Sequence, residues 1–119
     1  MSEIQNPKPV FDLHDRIFKF AYNTKLFVKK LPRNISNIEY AKQLIRSSGS
    51  VAANYIEASE SLSKKDFVMR IKICRKEAKE SVLWLRLVDA LTIHEAERKI
   101  LIDEATQLMK IFGAIISKI

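Results

Sequence analysis

The residues of this sequence with the most chemical potential are few, and most lack the neighbours that catalysis requires. Glu57, Glu77 and Glu80 are carboxylates in stretches of helical periodicity, and carboxylates on facing helices can build a two-metal site. That site normally adds Glu-x-x-His on two of its helices. Here the third helical stretch reads Glu77-x-x-Glu80, and the second holds no histidine, so no metal is expected. His14 and His94 lie far apart in sequence, each near an expected helix start, and both read as surface residues. Cys74 falls on an apolar stripe, where a thiol behaves as a small hydrophobe. The sequence contains no glycine-rich phosphate loop and no His-Glu-x-x-His. We therefore assign no catalytic residue and no cofactor, and expect a protein that is not an enzyme.

Two other constellations stand out. Arg46, Ser50, Asn54 and Glu57 recur at i, i+4, i+8 and i+11, which places them on one helix face, opposite the apolar stripe of that helix. Short polar groups between an arginine and a glutamate suit a ligand site or a buried seam between subunits, where such groups fix register. The seam is the expectation, with Arg46 at its head and Glu57 paired within it. On the next helix Lys65, Lys72, Arg75, Lys79 and Arg86 project within about 100° of one another. A basic stripe of this kind can follow a phosphate backbone, or it can be a solvated face. No aromatic side chain is interleaved with it, so base stacking is not indicated.

The elements that must carry these residues follow from punctuation and period. Of 119 residues only two are glycine and three are proline, and all three prolines precede Arg33. A β-rich fold needs more turn residues, so long helices are expected. Residues 1–11, with Pro7 and Pro9, read as a flexible arm, and 12–119 as one helical domain. Asp12 caps a first helix that runs to about Leu31, with core stripe Leu13, Ile17, Phe20, Thr24, Phe27, Val28 and Leu31. Ser36 or Asn37 caps a second, reaching about Ser61, on the stripe Leu44, Ser48, Val51, Ala52, Tyr55 and Ala58. Gly49 inside it costs about 1 kcal/mol relative to alanine, which suggests close approach of a neighbouring helix. Ser63 with Asp66 opens a third helix to about Leu91, built on Phe67, Ile71, Cys74, Ala78, Val82 and Leu85. Thr92 with Glu95 opens a fourth, lined by Leu101, Ala105, Leu108, Phe112, Ile115 and Ile119. Four helices with short connections pack most simply as an antiparallel up-down-up-down four-helix bundle.

A bundle helix needs one apolar stripe, and the first helix has two. Phe11, Phe18, Tyr22 and Leu26 lie opposite its core residues, and an exposed apolar patch marks a partner surface. These four are the candidate oligomer interface, with a second copy as partner. The third helix also has surplus apolar residues, Ile73, Trp84, Leu87 and Leu91, which a central position between two neighbours explains.

Charge narrows the partners. The net charge is +7. Residues 16–46 carry eight Lys/Arg against Glu39 alone, and residues 64–86 carry eight against Asp66, Glu77 and Glu80. Such concentration favours an acidic or polyanionic partner, RNA or DNA. The lone cysteine excludes an internal disulfide and fits a reducing cytoplasm. No apolar run reaches the roughly 20 residues that span a bilayer, so no membrane partner is expected.

The residues Leu31-Pro32, then Gln43-Leu-x-Arg46-Ser47-x-x-Ser50-Val51-x-x-Asn54-x-x-Glu57-Ala58, then Asp66-Phe67, then Ile73-Cys74 with Glu80 beyond, resemble the four-helix-bundle family of ribosomal-RNA intervening-sequence proteins. Members are encoded in inserts within bacterial 23S rRNA genes and elsewhere in bacterial genomes. The likeness runs from about Phe11 to Leu108. It implies an up-down bundle assembled as a homopentameric ring. A branch related to that family, the accessory proteins of diversity-generating retroelements, has the same architecture and binds nucleic acid and a reverse transcriptase. Many members continue the second-helix motif as Glu-Gly, where this chain has Ala58. Many carry Gly-Ser where this chain has Lys76-Glu77. The resemblance and the charge together give the expected function: an oligomeric bundle that binds nucleic acid through basic surfaces, or alternatively a protein–protein assembly module without nucleic-acid binding.

Overall fold

The computed structural model describes residues 12–119, which form four long helices and no strand. The expected arm over 1–11, and with it Phe11, lies outside the described residues. The helices are α1 (Leu13–Val28), α2 (Ile35–Ser59), α3 (Lys64–Leu87) and α4 (Glu95–Ser117), with a short 3-10 turn at Thr92–His94 before α4. The architecture is all-helical and compatible with a four-helix bundle. No helix among the described residues is long and apolar enough to cross a membrane.

Helix starts follow local chemistry, with two corrections. The Asp12 carboxylate accepts from the Asp15 amide and the Ser63 hydroxyl from the Asp66 amide, as the sequence suggests. The cap of α2 is Asn34, whose side chain accepts from the Asn37 amide at 2.8 Å. Asn37 is engaged elsewhere: buried, it donates to the Pro32 and Asp89 carbonyls and accepts from the Asp89 amide. It thereby ties the start of α2 to the segment after α3. Thr92 does not open α4 directly; it begins the 3-10 turn, and α4 starts at Glu95 with no side-chain cap.

Helix ends come earlier than periodicity suggests. α1 stops at Val28, and Lys29 to Leu31 form a turn before Pro32. α3 stops at Leu87 because Val88 is extended, with ψ 146. Arg98 satisfies the carbonyls left over, donating to those of Leu85 and Val88.

The core is the set of stripes read from the sequence. Ile17, Phe20 and Phe27 of α1 meet Leu44 and Val51 of α2, Ile71, Cys74 and Leu85 of α3, and Leu108 and Phe112 of α4, all essentially inaccessible. Full burial of each large apolar side chain stabilises the fold by about 1.5–3 kcal/mol. α3 packs on both α2 and α4, while α1 bridges α2 and α4. This central place explains the extra apolar residues of α3 in part: Trp84 is half-buried and stacks on Tyr40, whereas Leu87 and Leu91 stay exposed. Gly49 is a correction. Among the described residues nothing lies within 4 Å of where its Cβ would stand, so none of the described helices makes the close approach expected there.

Candidate nucleic-acid interface

The polar residues of α2 lie on the flank that faces α3, and not opposite the apolar stripe. Arg46 reaches across to α3, donating from Nη2 to Glu77 at 3.2 Å and to Glu80 at 2.9 Å. Hydrogen bonding to Glu77, reinforced by the charges of Glu77 and Glu80, raises the guanidinium pKa above its ordinary value. Glu77 is buried, its side chain only 8% exposed, while Arg46 is about half exposed. Beside Arg46, the Ser47 hydroxyl meets that of Ser81 at 2.8 Å inside the interface. Asn54 donates to Ser50 and accepts from Arg70 of α3 at 3.1 Å. Rising positions on α2 thus meet falling positions on α3. The seam joins two helices of one chain, where the sequence suggested two subunits.

Glu57 departs from expectation. It is exposed and forms no ion pair among the described residues. The buried carboxylate of the seam is Glu77, which the sequence had offered only as half of a metal motif. The missed signal was its place on the core side of α3, between Cys74 and Ser81. Glu77 and Glu80 are both claimed by the Arg46 guanidinium, and no group of three potential ligands among the described residues is close enough to hold a metal ion.

Cys74, His14 and His94 are held in structural contacts. Burial raises the Cys74 thiol pKa to about 12, and its sulfur donates to the Val51 carbonyl. Such a thiol is not nucleophilic near neutral pH. The His14 ring packs edge-on against Tyr55 and shares a hydrogen bond with Ser59. His94 sits 3.7 Å from Glu97 at the start of α4.

The outward face of α3 presents the opposite chemistry. Lys65, Lys72, Arg75, Lys79 and Arg86 are all exposed, and none forms an ion pair with a described residue. Four of them are spaced by seven, and two helical turns set successive charges about 10 Å apart. Arg75 stands to one side of this row, its guanidinium reaching toward Gly113 on α4. The row runs beside two shallow grooves. One, of about 780 Å³, has Val68, Met69 and Ile73 as floor and Lys64, Lys65, Lys72 and Lys76 as rim. The other, of about 590 Å³, lies between α3 and α4 with Lys76, Lys79 and Arg86 along its edge. Lys76 borders both and was missed in the sequence; its distance of eleven residues from Lys65 puts it on the same face.

On α1, Phe18 and Tyr22 are exposed and stack on one another with Lys25 over the Tyr22 ring, while Leu26 is half-buried.

A family model described as 23S rRNA-intervening sequence protein matches residues 11–114. The chain is similar to a crystal structure from Bacteroides thetaiotaomicron VPI-5482, a protein of unknown function from the S23 ribosomal protein family. The two share 28% identity with a TM-score of 0.75, over 88% of this chain and 98% of that one. No curated protein matches.

Proposed function

This chain belongs to the 23S rRNA-intervening sequence protein family, and we propose that it is a non-enzymatic, homo-oligomeric bundle that binds RNA or DNA through the outward face of α3. The observation that carries the reading is the row Lys65, Lys72, Lys79 and Arg86, with Arg75 beside it, exposed and without an acidic partner among the described residues. Three cations elsewhere in the chain have acidic partners: Arg16 with Glu104, Lys30 with Glu97, Arg46 with Glu77. A row that faces water unmatched is free to neutralise phosphates.

The protomer is an antiparallel up-down-up-down bundle. Supporting this are the pairs that cross between helices. From α2 to α3 and the segment just after it they run Asn37 with Asp89, Arg46 with Glu77, and Asn54 with Arg70. From α1 and the turn just after it to α4 they run Arg16 with Glu104 and Lys30 with Glu97. The assembly is a homopentameric ring, as the family resemblance implies, and the exposed stack of Phe18 and Tyr22 supports self-association. The lone buried thiol suits the cytoplasm.

Light scattering should give a mass near five times the 13.8 kDa chain; a monomer at micromolar concentration overturns the ring. Tyr22→Glu should weaken assembly while leaving helical content intact. Titration of labelled structured RNA and of duplex DNA should show affinity falling with salt, with a slope of about −0.9 per duplex phosphate neutralised. Absence of binding at low salt favours the second reading, a protein-assembly module, which the apolar floors of the α3 grooves support.

A further inference from the structure

Cations without acidic partners gather at a second place. Lys25 and Lys29 stand one turn apart at the end of α1, Arg33 follows in the connection, and Lys42 is on α2. Lys29, Arg33 and Lys42 line one groove of about 780 Å³ between the two helices. All four side chains belong to exposed residues. Lys25, Lys29 and Arg33 form no ion pair with a described residue. Lys42 comes within 3.6 Å of Glu39, in an exposed pair that water largely screens. Positive charges crowded in this way repel one another, and a polyanion laid across them relieves the repulsion.

This patch is separate from the α3 row. No residue lines both its groove and the grooves beside α3, and α1 does not pack on α3. Acids interrupt both ways round the molecule from one patch to the other. On α2 stand Glu39, Glu57 and Glu60, all exposed, while Arg46 is engaged by Glu77 and Glu80. On α4, Glu95, Glu97, Asp103 and Glu104 outnumber Arg98, Lys99 and Lys110. A phosphate backbone running from one patch to the other would cross like charge, which costs free energy. Two basic surfaces divided in this way read as two sites. We propose that the Lys25–Lys29–Arg33–Lys42 patch is a second nucleic-acid site, and that with the α3 row it holds two separate backbone segments at once. The inference rests on the nucleic-acid reading above and adds a bridging function to it. The second site is the weaker one, because it has fewer cations and Glu39 competes for Lys42. The α3 row therefore sets the affinity for the first segment, and the α1–α2 patch takes the second. Both contacts are with phosphate, so salt weakens bridging more steeply than it weakens binding of one segment.

The test mixes the full chain with an RNA duplex too short to wrap from one patch to the other, half of it labelled with an energy-transfer donor and half with an acceptor. At low salt the parent should bind the duplex and bring donor and acceptor together. Lys29→Glu, Arg33→Glu and Lys42→Glu combined should lose the transfer and still bind one duplex nearly as the parent does. Circular dichroism and light scattering check that the variant keeps the parent's fold and mass. Where the reversal alters either, Lys29→Gln with Arg33→Gln is read in its place, and should reduce the transfer. A parent that binds the duplex without transfer overturns the bridging and leaves the nucleic-acid reading standing. Transfer that survives the loss of the α1–α2 charges also overturns it, because the α3 rows of different copies then hold the two duplexes. If that loss weakens binding of one duplex as much as reversal of Lys72, Arg75 and Lys79 does, both patches serve one segment and the proposal fails. A parent that binds no duplex overturns both readings.

Discussion

The two sides of α3 carry the same residue types to opposite ends. Toward α2, the Glu77 carboxylate is buried and answered by Arg46, Ser81 by Ser47, and Arg70 by Asn54. Toward solvent, Lys65, Lys72, Lys79 and Arg86 stand in a row that no acid of the described residues answers. A charge taken out of water must be matched within the fold, because an unmatched buried ion costs several kcal/mol. A charge left in water need not be matched, and its partner can be another molecule. The first side is therefore read in stability and the second in binding.

Variants can separate the two. Arg46→Met should have the largest effect on stability, since it leaves Glu77 buried without a counter-charge. Water reaching the half-exposed position moderates the loss to about 2–3 kcal/mol. Thermal unfolding should show a fall of roughly 10 °C. A shift under about 2 °C would mean that the seam contributes nothing. Glu77→Gln should cost less, about 1 kcal/mol, because Arg46 keeps Glu80 and solvent.

Cys74 gives a pH signature for the buried side. Its thiol is raised from 9.0 to about 12 in the folded chain. Above pH 9 the unfolded chain therefore gains by ionising a thiol that the folded chain keeps neutral. The stability tied to this group is fully present below pH 9 and declines as pH rises toward 12. By pH 10 the parent should have lost about 1 kcal/mol more than Cys74→Ala has. Parallel pH profiles for the two proteins would show that the thiol is not held in a dry core. The smallest stability effect belongs to the exposed side. Lys72, Arg75 and Lys79 all changed to Glu should alter unfolding by less than about 1 kcal/mol, as is usual for surface positions.

Much of the buried side was legible beforehand. A spacing of threes and fours picked out Ile17, Phe20, Phe27, Leu44, Val51, Ile71, Leu85, Leu108 and Phe112, all of which are core. Period reports which face is buried and does not report where a helix stops. α3 ends at Leu87 because Arg98 and Asn37, remote in sequence, bind the carbonyls and amide around Val88 and Asp89. For the same reason Asn37 was mistaken for a cap when its amide is a clamp between loops. The seam was half legible. Arg46, Ser50 and Asn54 were found by spacing, but their partners lie on another helix. Helical spacing cannot choose between Glu57, which is exposed, and Glu77, which is buried. The basic row was legible almost whole, because a face turned to water depends on no other element. Lys76 was the member passed over.

The most direct measurement is RNA affinity and melting temperature taken together for three proteins: the parent, Arg46→Met, and the chain with Lys72, Arg75 and Lys79 changed to Glu. At low salt the parent should bind structured RNA. The triple reversal should bind at least about 100-fold more weakly, from the loss of three phosphate contacts, with its melting temperature nearly unchanged. Arg46→Met should melt lower and, while folded, bind as the parent does. Binding that survives the triple reversal at full strength, or that is absent from the parent at low salt, would contradict the assignment of the outward face of α3 to nucleic acid.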